Sequence, residues 1–240
     1  MEAKKELGQH FLINEGVAER IAEAIENKNL IVEIGPGRGA LTKKLLDVAK
    51  LVVGVEIDYD LIWYLKNRFR GNGLLLIRGD GREIKLKQEV SVAGNLPYNM
   101  AKNIIKNFIF QYRFVKEMVL MVQKEVADKI IANTGFREFG KFSILCQLYY
   151  TPKKLFNVKP ASFLPPPKVN SAVVKLTRKT DIPNINDTFF DFLDKLFAHP
   201  RKTVKNNLSI DSGDDVFKKR PFQLSIEEII NLWRERWQTQ

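Results

Sequence analysis

Residues 30–42 read LIVEIGPGRGALT. The first five, LIVEI, are mostly apolar and suit a strand buried on both faces. They run straight into Gly35, Gly37 and Gly39, which let a backbone turn tightly and approach a ligand with no Cβ in the way. Beyond the glycines, Leu41, Leu45 and Val48 recur at helical spacing. A strand, a glycine turn and a helix in that order open a parallel βαβ unit.

The pattern repeats downstream. LVVGVEI (51–57) predicts a second strand, and Asp58 can cap a helix carrying Leu61, Ile62, Leu65 and Phe69. LLLIR (74–78), VSVAG (90–94) and EMVLMVQ (117–123) predict further strands, with a helix through Ile104, Ile105, Phe108 and Ile109 before the last of these and another, KEVADKIIA, after it. This alternation predicts an α/β fold of Rossmann-like type, a doubly wound, mostly parallel sheet covered on both faces. After residue 140 the texture changes. FSILCQLYY (142–150) reads as helix, and TPKKLFNVKPASF and VNSAVVKL as extended segments around LPPPK (164–168), where three prolines demand a stiff connector. Past Lys179, DIPNIND is a linker into a helical tail. Ser225 and Glu228 form a capping box for the last helix of that tail. Two domains are expected, 1–180 for chemistry and a small helical domain, 181–240, that contributes to RNA binding.

Composition narrows the function. The chain has 240 residues and 45% hydrophobic content, in the globular range. No stretch reaches the roughly 20 apolar residues of a membrane span, so no membrane partner is expected. The start, MEAKKELGQHFL, lacks a signal peptide's apolar core, so a cytoplasmic location is expected. Cys146 is the only cysteine, and His10 and His199 are the only histidines. An internal disulfide is therefore excluded and no metal site is expected. The net charge is +11 with a pI near 9.6. Residues 1–180 hold 30 basic and 18 acidic side chains; residues 181–240 hold 9 and 10. Such a surplus points to a polyanionic partner, nucleic acid above all.

Three carboxylates follow the strands. Glu56 closes the second strand 21 residues after Gly35, the spacing of an acid that grips a ribose diol. Gly35, Gly37 and Ala40 also fit a dinucleotide loop, so a dehydrogenase is a rival reading. Glu33 separates the two, since it suits a cofactor's cationic amine and would repel a pyrophosphate. Asp80, followed by Gly81 in the turn after the third strand, can accept from an adenine amine, although an Asp-Gly turn needs no ligand. Together they point to S-adenosylmethionine.

The fourth strand ends in GNLPYN (94–99). Pro97 holds Leu96 extended and leaves its carbonyl free to face a cleft. The Asn95 oxygen and that carbonyl make two acceptors for an exocyclic amine on a planar base, and Tyr98 offers a stacking face for a base swung out of its helix. With GQHFL (8–12), VEIGPGRGALT (32–42), MVQKEVA (121–127), FLPPPKVNSAV (163–173) and RKTVKNNL (201–208), the chain resembles the ribosomal RNA adenine N6-dimethyltransferases of the KsgA type, which also include the macrolide-resistance methylases. The resemblance implies that His10, Leu12, Gly35, Glu56, Asp80 and Asn95 contact S-adenosylmethionine, with Glu33, Gly37, Ile57 and Gly81 beside them. It implies that Phe163 joins Tyr98 around the target base, and that Arg201, Lys202 and Lys205 touch RNA. HPR (199–201) stands where the family usually reads NRR, which removes one basic contact. NLPY and the tail are closer to the ribosome-assembly enzymes than to the resistance methylases. The expected activity is N6,N6-dimethylation of two adjacent adenosines near the 3′ end of small-subunit rRNA, by a monomer acting on the assembling subunit. A large-subunit methylase and a non-catalytic assembly factor are the alternatives.

Overall fold

The computed structural model of the chain describes residue 4, residues 9–210 and residues 212–237. Gly8 of GQHFL and most of the stretch inspected for a signal peptide lie outside the described residues. The chain divides into two compact units. One takes the described residues up to Ala127 and Tyr150–Arg178; the other takes Asp128–Tyr149 and the described residues from Lys179 onward.

In chain order the first unit holds β1 (Phe11–Leu12), α1 (Glu15–Glu23), β2 (Ile31–Ile34), α2 (Ala40–Val48), β3 (Val52–Glu56), α3 (Tyr59–Arg68) and β4 (Leu74–Arg78). It continues with β5 (Val90–Asn95), α4 (Ala101–Phe110), β6 (Val115–Gln123), the start of α5 (Lys124–Ile131), β7 (Tyr150–Val158), β8 (Phe163–Leu164) and β9 (Ser171–Arg178). Seven strands form one sheet in the order β4-β3-β2-β5-β6-β9-β7. The pairs among β4, β3, β2, β5 and β6 are parallel, and β9 runs antiparallel to both its neighbours. β1 and β8 pair separately, Leu12 opposite Phe163.

The apolar runs become strands because both faces of a parallel sheet are covered. All of β2 is buried, and Ile31, Val52, Ala93, Val119 and Val173 share a core with α1 and α2. β4 differs. It lies at the sheet edge, where Leu75 and Ile77 are exposed. Helix α1 was not read from the sequence, although Asn14 caps it by accepting from the Val17 amide at 3.1 Å and Ala18, Ile21 and Ala22 line its buried stripe. The segment between β4 and β5 holds no helix; one side-chain amide of α4 and one just past its end fasten it. Asn107 Nδ2 donates to the Gly81 and Ile84 carbonyls at 3.2 and 3.0 Å, and Gln111 Oε1 accepts from the Leu86 amide at 2.7 Å.

The second unit contains the end of α5, α6 (Lys141–Tyr149), α7 (Asp187–Leu196), α8 (Val204–Leu208), α9 (Asp215–Lys218) and α10 (Ile226–Arg236). The Ser225–Glu228 capping box starts α10, with bonds of 2.8 and 3.1 Å. Trp233 is fully buried, lies edge-on to Phe189 at 5.4 Å and donates to Thr188 Oγ1 at 3.0 Å. The expected boundary at residue 180 needs correction for 128–149, which group with the tail. The Gly135 amide donates to the Phe222 carbonyl at 2.7 Å, and Lys179 Nζ to the Gln147 carbonyl at 2.6 Å. Helix α6 buries Ile144, Leu145, Cys146 and Leu148 on more than one side, a pattern that names no single partner layer. Among the described residues, no helix is long and apolar enough to cross a membrane.

Candidate active site

The sheet changes winding direction between β2 and β5: β3 and β4 lie on one side, β6 on the other. In open α/β sheets the carboxyl ends of the strands at such a point leave a crevice. A cleft with about 940 Å³ of empty space, mouth included, opens there. The ends of β2, β3 and β5 bring to it Glu33, the glycine loop, Glu56, Ile57 and Asn95, and the turn after β4 adds Asp80 and Gly81. His10, Leu12, Leu96, Pro97 and Tyr98 join them in its wall.

The loop turns through left-handed backbone at Gly35 (φ 66°) and Gly39 (φ 80°). At Gly39 any side chain is excluded twice over, because a Cβ would lie 2.5 Å from the Phe69 ring. The loop is tied to the acid of the next strand. Gly37 donates its amide to Glu56 Oε2 at 3.1 Å, and Glu56 Oε1 accepts from the Ile57 and Asp58 amides at 2.9 and 3.0 Å. Burial raises the Glu56 carboxyl above its usual range, against the pull of these amides. Oε1 thus has both acceptor sites taken, and Oε2 keeps a lone pair for a ribose hydroxyl.

Glu33 is 1% exposed. Burial, reinforced by the charge of Glu56, pushes its carboxyl up to about 8, opposed by the Thr42 hydroxyl that donates to Oε2 at 2.7 Å. A cation placed beside it would restore the carboxylate. Asp80 is less open than expected. Arg82 forks it, with Nε at 3.0 and 2.9 Å from the two oxygens, and donates its amide to Oδ1 at 2.9 Å. The guanidinium holds the Asp80 carboxyl below its usual range. An adenine amine would have to share this acceptor with Arg82 or displace it.

At the other end, the Asn95 amide is oriented by the main chain. Its Nδ2 donates to the His10 carbonyl at 2.8 Å, while Oδ1 is buried and has no hydrogen-bond partner among the described residues. Leu96 is anchored through its amide to the Met121 carbonyl at 3.0 Å, and the Pro97 carbonyl accepts from Met100 at 3.0 Å to close the turn. The His10 ring stacks on Tyr98, centroids 5.5 Å apart at 29°, and its Nδ1 donates to the Pro165 carbonyl at 2.8 Å.

Phe163 requires correction. It does not line the cleft; it is 2% exposed and packs in the core with Leu12, Ile21 and Val158. The β1–β8 pairing sets it opposite Leu12, and apolar burial takes the ring inward. Two cleft residues with polar side chains went unread: Gln9, whose Nε2 donates to Asp58 at 3.1 Å, and Arg38, whose guanidinium lies 4.7 Å from the Phe11 ring centroid. Gln9 stands inside GQHFL and was within reach of that motif; an arginine between two loop glycines gives no comparable signal. In the second unit, Arg201, Lys202 and Lys205 are exposed. Asn207 fixes the turn that carries the first two, donating to the His199 and Thr203 carbonyls at 3.1 Å and accepting from the His199 amide at 2.9 Å.

A lone acceptor and a stacked tyrosine beside an acid-lined glycine loop suit transfer of a small group to a planar amine. The sheet order, with β9 reversed, is that of a class I methyltransferase, an enzyme class served by S-adenosylmethionine. Residues 1–232 match the family described as ribosomal RNA adenine dimethylase. The ribosomal RNA small subunit methyltransferase A of Flavobacterium johnsoniae is 38% identical over 247 residues, 97% of this chain and 95% of that protein. The crystal structure of a dimethyladenosine transferase from Plasmodium falciparum superposes with a TM-score of 0.83 at 30% identity, covering 94% of this chain and 97% of that one. The 23S rRNA methyltransferase ErmE, at 20% identity and a TM-score of 0.73 over 92% of this chain and 98% of its own, shares the fold. The chain belongs to the ribosomal RNA adenine dimethylase family.

Proposed function

We propose that the protein dimethylates N6 of two adjacent adenosines near the 3′ end of small-subunit rRNA, acting as a cytoplasmic monomer on the assembling subunit. The observation that carries this reading is the Asn95 amide in the cleft wall, whose nitrogen donates to His10 and whose oxygen has no partner among the described residues. A buried acceptor left unpaired is costly, and an amine hydrogen is the group that satisfies it.

Glu56 holds the ribose hydroxyls, Glu33 the cationic amine and Asp80 the adenine of S-adenosylmethionine, with Gly35 and Gly37 allowing close backbone approach. Bound there, the cofactor supplies an electrophilic methyl on a sulfonium and leaves as S-adenosylhomocysteine. The protein's own part concerns the target amine. Asn95 Oδ1 and the Leu96 carbonyl take its hydrogens, which draws the nitrogen lone pair out of the aromatic ring and fixes its direction. No strong base is needed, because the N6 proton becomes acidic only as the new bond forms and then passes to water. Tyr98 carries the flipped base. Arg201, Lys202 and Lys205 hold phosphates through the second unit.

The test is incubation with S-adenosylmethionine and undermethylated small subunits, followed by mass spectrometry of the rRNA. Two neighbouring dimethyladenosines near the 3′ end are expected. Methylation elsewhere in that rRNA, or none, would overturn the reading.

A further inference from the structure

Ser171 is the first residue of β9, and its backbone is paired on both sides, with Gln123 of β6 and with Val158 of β7. It is fully buried. A hydroxyl so far from water needs a partner within the protein. The partner is the Tyr98 phenol, 73 residues earlier in the chain, at 2.6 Å. That is short for a bond between two neutral hydroxyls.

Simple packing would be met by alanine, which brings no polar atom to such a site. Tyr98 has no need of a buried partner either, since it is only partly buried and its hydroxyl could bond to water. What the bond supplies is direction. A tyrosine ring turns about two side-chain torsions. The His10 ring restrains the face of Tyr98 and Ser171 restrains its far end, so the plane of the ring is set from two sides. One of those anchors is a strand held by both neighbours, the most rigid kind of element available to the cleft.

We propose that Ser171 is a positioning residue for methyl transfer: its hydroxyl, fixed on β9, holds the Tyr98 ring at the angle that presents the target base to Asn95. The proposal rests on Tyr98 as the base platform. It predicts a defect in transfer and none in cofactor binding, because Ser171 lies outside the cleft lining.

The experiment compares Ser171→Ala, Tyr98→Phe and the double variant by single-turnover methylation of undermethylated small subunits, with S-adenosylmethionine affinity measured by calorimetry. Each single variant should slow transfer about 5- to 10-fold, the size of one neutral hydrogen bond expressed in the transition state. Cofactor affinity should stay within about twofold, and the double variant should be no slower than the slower single one. Tyr98→Phe probes the same bond from the exposed side, so the comparison stands even if Ser171→Ala folds poorly. Wild-type rates in both singles, or losses that multiply in the double variant, would overturn the proposal. If the unsubstituted protein itself fails to methylate the subunit, the reading of the site falls instead.

Discussion

The Asn95 amide points its nitrogen at the His10 carbonyl, 2.8 Å away, and its oxygen has no partner among the described residues. Asn95→Ala should therefore leave the fold intact and cut methyl transfer by about two to three orders of magnitude, the scale of one oriented transition-state contact. Single-turnover rates check this, and a near-normal rate would refute the acceptor role. Glu33 gives a second prediction with a definite sign. Its carboxyl titrates near 8 in the unliganded protein because it is buried, and a cationic amine beside it lowers that value. Cofactor binding at neutral pH should then release a proton, with affinity rising with pH up to about 8 and levelling above it. Calorimetry in buffers of different ionisation enthalpy reads the proton directly, and Glu33→Gln should abolish it. The same shift makes the unliganded fold lose stability as pH rises from 4.5 towards about 8, since the folded state binds the extra proton over that window.

Phe163 sits in β8 opposite Leu12 of β1, and this two-strand ribbon seals an end of the core. Phe163→Ala should cost about 3–5 kcal/mol of stability, as for other buried aromatics. Thermal or urea unfolding measures it; a loss under 1 kcal/mol together with a large loss of transfer would return the ring to the target base. The ribbon marks where sequence reading stops. β2, β3 and β5 were legible because each is an apolar run ending at a glycine, an acid or an amide, and those end residues are the site. Glu33, Glu56 and Asn95 reached the cleft for that reason, and Asp80 from the turn after β4. β1 and β8 are two residues each, too short to show a period, and their pairing is set by 150 residues of intervening fold. The orientation of Phe163 was illegible for the same cause. The Arg82 fork on Asp80 was hidden differently, because an exposed arginine two residues from an acid has many places to go.

On the scale of the whole molecule, the charge of +11 should govern encounter with RNA. Affinity for the small subunit should fall tenfold or more between roughly 50 and 200 mM salt as condensed counterions cease to be released. Arg201→Ala with Lys202→Ala should flatten the salt slope by about one unit per side chain and leave cofactor binding unchanged. Filter binding across a salt series reads both; an unaltered slope would remove that turn from the RNA surface. The division into units has a further consequence for how the molecule is made. Residues 128–149 belong with residues from Lys179 onward, yet they leave the ribosome first. At about 5–20 residues per second, α6 must wait several seconds for the rest of its unit. During that time Ile144, Leu145 and Leu148 lack the part of their unit that begins at Lys179. A chaperone that grips short apolar segments has its opening there, and a fragment stopped at Arg178 would leave that unit incomplete for good. The two units cannot be parted by one cut.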